Sequence, residues 1–199
     1  MREHRSPGRP RGFDADATLD VIKDLFWARG YEAVSLADVM AATGLRKGSL
    51  YAAYGDKRAM YLKALARYDA EQVAETVAAL RAPTPPRLRI ARFLDAPVAA
   101  AYDGADDRGC FLCNAAADRA AEDPDAAALV RTGFEKIERA LIDTLAELAP
   151  DARRASLASS AAELLVAYSG LRLMARTGLR RDILDAARDR LLAGLPGAP

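Results

Sequence analysis

Residues 34–57 read "VSLADVMAATGLRKGSLYAAYGDK". Ser35 is a good helix N-cap, and Asp38, three residues on, can answer the exposed amides from the other side. Leu36, Val39 and Met40 follow at helical spacing until Gly44, so the pattern predicts a helix of about two turns ending in a left-handed glycine. A second short helix follows, closed by Gly55. Two short helices joined by a tight glycine turn form the helix-turn-helix pattern. Leu36, Val39 and Met40 would pack the first helix inward, Leu45 would plug the turn, and Leu50 with Tyr54 would anchor the second. Arg46, Lys47, Ser49, Ala52 and Ala53 are left facing out. They make a basic, small-residue surface of the kind a recognition helix needs in a major groove.

The rest of the 199-residue chain supports a helical frame for this motif. Hydrophobic residues make up 51% and charged residues 29%; Ala and Leu dominate the apolar part, which favours helix over strand. No run of about 18 apolar residues exists, so no membrane span is expected. No apolar stretch follows the basic N-terminus, so no secretory signal is expected either, and the expected location is the cytoplasm. Residues 1–65 carry 11 Lys/Arg against 8 Asp/Glu, whereas residues 66–199 carry 18 against 20. A basic front on a mildly acidic body suits an anionic partner at the front; a solvated tail with no partner is the alternative.

Outward from the motif, "MREHRSPGRPRGF" has no apolar period and reads as an arm. A helix begins near Asp14 and stops at "RGY", with Gly30 as its left-handed cap. Asp56 reads as the N-cap of a long helix to about Leu80, which "APTPP" at 82–86 breaks. Further helices are expected over 87–102, bent at Pro97, and 110–121. After the "EDPD" break come one that stops before Pro150, then 151–177 and 180–195. The prediction is an all-α protein of about nine helices. It divides into a basic arm (1–12), a helix-turn-helix domain (13–60) and a helical remainder (61–199).

The segment "VSLADVMAATGLRKGSLYAAYGDKRAMYLKAL" (34–65) closely resembles the DNA-binding segment of the TetR family of one-component transcriptional regulators. The resemblance rests on the Ser35 cap, Gly44, the run from Lys47 to Tyr51, Tyr54, and "GDK" with Lys57. It is specific over about residues 14–65 and implies a dimer on a double-stranded, palindromic operator, more often as a repressor. It also implies phosphate contacts from Ser35, Tyr51 and Lys57, and a groove-facing set of Arg46, Lys47, Ser49 and Ala52, with Gly48 letting the backbone approach. Tyr54 stands where Phe is more usual. Ala52 and Ala53 replace larger polar residues, so direct readout would lean on Arg46 and on thymine methyl contacts. In the arm, Arg9 and Arg11 bracket a Pro that keeps the chain extended, which suits a narrow minor groove; an idle tail is the other reading.

The same resemblance places a small-molecule effector among the middle helices. Candidate lining residues there are Phe93, Leu94 and Tyr102, then Cys110, Phe111, Cys113 and Asn114, then Phe134, Ile137, Tyr168 and Met174. Few charges look buried in this region, which suggests an apolar or thiol-reactive effector. The last two helices carry two apolar stripes, Leu157, Ala161, Leu164, Tyr168 and Leu171 on one, Ile183, Ala187 and Leu191 on the other. They are expected to build a four-helix interface between protomers, or else to finish the core of one.

The two cysteines, Cys110 and Cys113, form a C-x-x-C at a helix start, where amide dipoles favour a thiolate and Arg108 would add to that. A Gly-Cys-aliphatic run followed by Asn recurs in one branch of the resembling regulators. Thiol sensing and plain core packing both fit. Zinc does not, since it wants four ligands and the one His is His4 in the arm; a two-coordinate soft ion or a dimer-shared site is the remaining metal alternative, and no metal or cofactor is expected. Rival readings are a thiol-redox enzyme and an all-α adaptor that binds no DNA. No strand precedes the C-x-x-C, which counts against the enzyme. An adaptor would leave "LRKGSLYAAYGDK" without a purpose.

Overall fold

The computed structural model describes residues 12–104 and 108–195, so Arg9 and Arg11 lie outside the described residues. Every regular element among these residues is helical. In order they are α1 (Ala15–Ala33), α2 (Leu36–Thr43), α3 (Lys47–Tyr54), α4 (Lys57–Tyr68), a π-helical turn (Asp69–Val73), α5 (Ala74–Leu80), α6 (Pro86–Tyr102), α7 (Phe111–Asp118), α8 (Pro124–Leu148), α9 (Arg154–Ala175) and α10 (Arg181–Ala193). Because α4, the π turn and α5 run on as one rod, the described residues hold nine helices, as expected. The long helix predicted from Asp56 to Leu80 therefore exists, with one widened turn inside it. None of the helices is long and apolar enough to cross a membrane.

The short helices begin where their polar caps dictate. Ser35 Oγ accepts the Asp38 N–H at 3.1 Å, while the Asp38 carboxylate accepts the Ser35 N–H at 2.8 Å, a complete capping box. Asp14 caps α1, Asp56 caps α4 and Asp123 caps α8, each through its own carboxylate. Gly44 ends α2 at φ 70°, ψ 6°, the left-handed cap expected of it. Gly30 also has positive φ (78°), but its ψ of 173° is not that of a left-handed cap, and one more helical turn follows to Ala33. The reason is Asp118 of α7. Its Oδ2 accepts the Tyr31 N–H at 2.6 Å and would lie 2.9 Å from any Cβ at position 30, so only glycine fits.

Packing forms one core of two connected parts. Ile22, Phe26 and Trp27 of α1 meet Met60, Tyr61, Leu65 and Tyr68 of α4, and this sheath supports α2 and α3. Behind it, α8 is the central post: α7 and α9 pack on it, and α6 crosses α9 and α10. The boundary expected after residue 60 falls inside α4, so the front and rear of the molecule share a continuous rod. The π turn on that rod is tied to α1. The Lys23 ammonium reaches Glu71 at 2.5 Å and Asp20 at 3.3 Å, and Arg67 bridges the same two carboxylates.

One expected stripe is corrected here. Leu157, Ala161, Leu164, Tyr168 and Leu171 are all buried inside the protomer, against α6 and α8, as the core-finishing alternative has it, and Leu171 alone also borders the open groove between α9 and α10. α9 is apolar on two faces, and periodicity marks both alike. The face left open carries Val166, Leu173 and Met174, at 73%, 54% and 43% exposure. From α10, Ile183 and Ala187 stand exposed and Leu191 half-buried along the adjoining groove, as the second stripe predicts, with Leu184 buried beneath them.

Candidate nucleic-acid interface and the chamber behind it

The outer face of α3 is built by subtraction. Leu50 and Tyr54 turn inward, and the Tyr54 hydroxyl donates to the Ala15 carbonyl at 2.7 Å, fastening α3 to the start of α1. Arg46, Lys47, Gly48, Ser49, Tyr51 and Ala52 are left exposed on one side. Among the described residues neither Arg46 nor Lys47 forms an ion pair; the Lys47 ammonium only leans over the Tyr51 ring, 5.5 Å from its centroid. Ala53, expected to face out with them, is half-buried in a cleft with Phe13 and Leu45. Ser35 is exposed at the start of α2, and Lys57 is half-buried at the start of α4. The Ser35 hydroxyl and N–H, and then Arg29 at 2.9 Å, hold the Asp38 carboxyl well below the usual carboxylate range. The neighbouring Arg29 offsets that negative charge beside Ser35.

Behind this face the end of α7 and the start of α8 grip both helices that support it. Tyr31 is held between two cations: the Lys57 ammonium lies 4.3 Å and the Arg119 guanidinium 4.6 Å from its ring centroid. Arg58 forks onto Asp123 at 2.7 and 2.8 Å and reaches Asp125 at 2.6 Å, tying the start of α4 to the start of α8. This pairing holds the Asp123 carboxyl below its ordinary range.

At the other end of α7, Cys110 is the N-cap and Cys113 lies one turn on. The Cys113 thiol and N–H donate to Cys110 sulfur, which lowers the Cys110 pKa and raises that of Cys113; Arg172 and the Tyr68 hydroxyl, 3.6 Å away, add to the first effect. Arg108, expected to act on Cys110, instead lies 3.8 Å over the Trp27 ring and pairs with Asp24 at 3.0 Å. Arg172, from near the end of α9, takes its electrostatic place. Next to this cluster is a cavity of about 500 Å³, walled by Trp27, Tyr68, Phe93, Tyr168 and Arg172 and opening between α5 and α6 past Glu75 and Arg92.

Residues 19–64 match the profile described as "Bacterial regulatory proteins, tetR family". Among curated proteins, the transcriptional repressor ComR of Escherichia coli K12 is 48% identical over 64 residues, which are 32% of this chain and only 30% of ComR. The repressor BdcR of the same organism is 28% identical over 177 residues, 89% of this chain and 86% of BdcR. Among solved structures, the TetR family transcriptional regulator CifR, a cysteine mutant in complex with a 26-base-pair double-stranded operator, superposes with a TM-score of 0.79. It is 30% identical, over 95% of this chain and all of CifR. The chain belongs to the TetR family.

As a TetR-family chain, its expected ligand residues are scattered rather than gathered. Phe93 and Tyr168 stack at 4.1 Å and line the cavity. Phe111 is buried beneath Tyr61 and Tyr68. Leu94 and Ile137 are buried in the core, and Phe134 is half-buried on α8 away from the cavity. Tyr102 donates to the Leu179 carbonyl, and Met174 lies in the open groove of α9 and α10. Asn114 locks the approach to α7, donating to the Arg108 carbonyl at 2.9 Å and accepting from Arg176 at 2.7 Å. The expectation of little buried charge is also corrected, since Arg172 and Arg89 both line the cavity. Arg172 was within reach of sequence reasoning, because it sits at i+4 from Tyr168 on the inward stripe of α9. The roles of Trp27 and Asp118, and the pairing of Asp123 with Arg58, had no local signal, since each depends on a partner far along the chain.

Proposed function

We propose that this TetR-family chain is a cytoplasmic, dimeric repressor that binds a palindromic operator and is released by a small-molecule or thiol-reactive effector. The observation that carries the reading is the α3 face, where two cations without an ion pair among the described residues, a glycine and small side chains stand together on a helix anchored from behind. Residues 13–60 act as the DNA-binding domain and 61–199 as the effector and dimerisation domain. Arg46, Lys47, Ser49 and Ala52 line the major groove, with Gly48 admitting the backbone. Ser35, Tyr51 and Lys57 take phosphates, and Arg9 and Arg11 reach the adjacent minor groove. CifR, solved on operator DNA, supports the reading; ComR and BdcR, both repressors, support its sign. Fragments selected from genomic DNA by the full-length protein test it. A palindrome with half-sites about 34–36 Å apart is expected; recovery of no common sequence overturns it.

The dimer would form through the open side of α9 and α10, where Val166, Leu173 and Met174 join the Ile183, Ala187 and Leu191 stripe. Two copies of that surface make a four-helix contact. It would fix the separation of the two α3 helices, so a conformational change within each protomer shifts the population away from the DNA-binding spacing. α7 is the connecting part. One end holds the cysteine pair beside the cavity, and the other grips Tyr31, next to the turn into α8 where Asp123 holds Arg58. No catalytic role is assigned to any residue.

A thiol-reactive signal is favoured by the geometry at the start of α7, where the two cysteines lie one turn apart and the Tyr68 hydroxyl donates to the buried Cys110 sulfur at 3.6 Å, within reach of the Arg172 charge. Cys110→Ser is expected to keep operator binding and to lose release by an electrophile such as N-ethylmaleimide. Unimpaired release from the variant would leave the cavity as the input.

A further inference from the structure

The cavity between α1, α4–α6 and α9 contains charge that its own walls do not neutralise. Arg172 is half-buried, and no carboxylate among the described residues pairs with it. Its Nε donates to the Tyr168 hydroxyl at 2.9 Å, and one terminal nitrogen donates to the Gly109 carbonyl at 3.2 Å. Two neutral acceptors carry no charge, and the one anion-forming neighbour is the Cys110 thiol, whose proton loss Arg172 favours, so the guanidinium can still take an anion from the cavity side. Arg89 also lines the cavity but is already forked onto Glu147. Exposed Arg92 and Glu75 also line it, and Arg92 has no ion pair among the described residues. The field inside therefore favours an anion.

Two other features fix the shape and second contact of such an anion. The stacked Phe93–Tyr168 pair, the Tyr68 ring and Trp27 form flat apolar walls, which suit a planar body. The Gln72 side-chain carbonyl is buried without a donor, and a turn of that side chain, which lines the same cavity, would present it to a ligand. It belongs to the π turn, an irregularity that often marks functional sites in helices. A buried acceptor left unmatched costs about 1–3 kcal/mol, which a ligand hydroxyl or N–H would recover.

We propose that the cavity binds a small aromatic carboxylate carrying a hydrogen-bond donor, its carboxylate on Arg172, its ring on Phe93 and Tyr168, and its donor on Gln72. This deepens the effector reading above and names the chemical class of that effector. The ligand would touch Trp27 of α1 directly, so occupancy is felt by the helix that supports the DNA-facing surface.

Trp27 is the single tryptophan of the chain, and its fluorescence reports the cavity with no DNA present. The probes are 4-hydroxybenzoate, 4-hydroxyphenylacetate and indole-3-acetate, each beside its uncharged primary amide, titrated into the wild-type dimer. At least one acid is expected to saturate with an affinity about tenfold or more above that of its amide. Arg172→Met is expected to erase that preference, and Gln72→Leu to weaken the acid without equalising the pair. Thermal melts of both variants confirm folding, and if Arg172→Met does not fold, the acid–amide comparison on the wild type decides alone. Equal affinities of acids and amides, or no saturation by any acid up to about 10 mM, overturn the proposal. Operator binding, measured separately, distinguishes that failure from failure of the regulator reading.

Discussion

Tyr54 shows how one side chain divides between fold and function. Its ring closes the inner side of α3, and its hydroxyl spans to the Ala15 carbonyl, so the orientation of the outer face depends on it. Tyr54→Phe removes one neutral hydrogen bond, worth about 1 kcal/mol, and should lower Tm by about 2–4 °C for a chain of this size while leaving base preference unaltered. An unchanged Tm would mean water replaces the bond. On the outer face, Arg46→Ala should cost roughly 1–3 kcal/mol of operator affinity and relax selectivity at one position of each half-site. Lys57→Ala should weaken all sequences alike and reduce the salt slope by about 1 per protomer. Competition binding against single-base operator variants separates the two behaviours. These residues were legible in the sequence because their context is local: a cap, a turn glycine and a short amphipathic helix. Arg9 and Arg11, read as part of a basic arm, lie outside the described residues.

At the scale of elements, α7 is the short helix on which the molecule's two ends meet. Its last residue, Asp118, accepts the Tyr31 N–H, and the following Arg119 covers the Tyr31 ring that Lys57 shares. Asp118→Ala should therefore leave Trp27-reported ligand binding intact but reduce the change in operator affinity that ligand causes. A typical coupling of about 1–3 kcal/mol would shrink toward zero. Full coupling in the variant would show that the signal runs through α4 instead. The sequence predicted most helix boundaries because Pro, Gly and Asp mark them. It could not predict which side of α9 is buried: Leu164 and Tyr168 on one face and Val166 and Leu173 on the other are equally apolar, and only packing against α6 and α8 separates them. The π turn escaped for a similar reason, since Glu71 is drawn to Lys23 and Arg67 and nothing local in "DAEQV" announces it.

For the whole molecule, stability and assembly respond to charge and to the open apolar face. Hydrogen bonds from Arg67, Ser35, Arg58 and Arg89 hold Asp20, Asp38, Asp123 and Glu147, respectively, below their ordinary ranges. A carboxylate lowered on folding contributes stability fully above its unfolded pKa of about 4, and that contribution is lost as pH falls through the folded value. Tm should therefore fall steeply below about pH 4, with Asp123→Asn showing a shallower fall than wild type; parallel curves would contradict the role given to the Arg58 clamp. Val166→Glu with Leu173→Glu changes only exposed positions. The variant should keep its helical spectrum and sediment as a monomer, and an intact dimer would place the interface elsewhere.

The central claim, that α3 reads an operator from within a dimer, is tested most directly by titrating the selected operator with full-length wild type and with the Arg46→Ala, Lys47→Ala double variant across a series of salt concentrations. The claim predicts that wild type binds as two protomers per palindrome with a steep salt slope, and that the double variant falls to the affinity of random DNA while its fold and dimer persist. Undiminished, sequence-selective binding by that variant would contradict it.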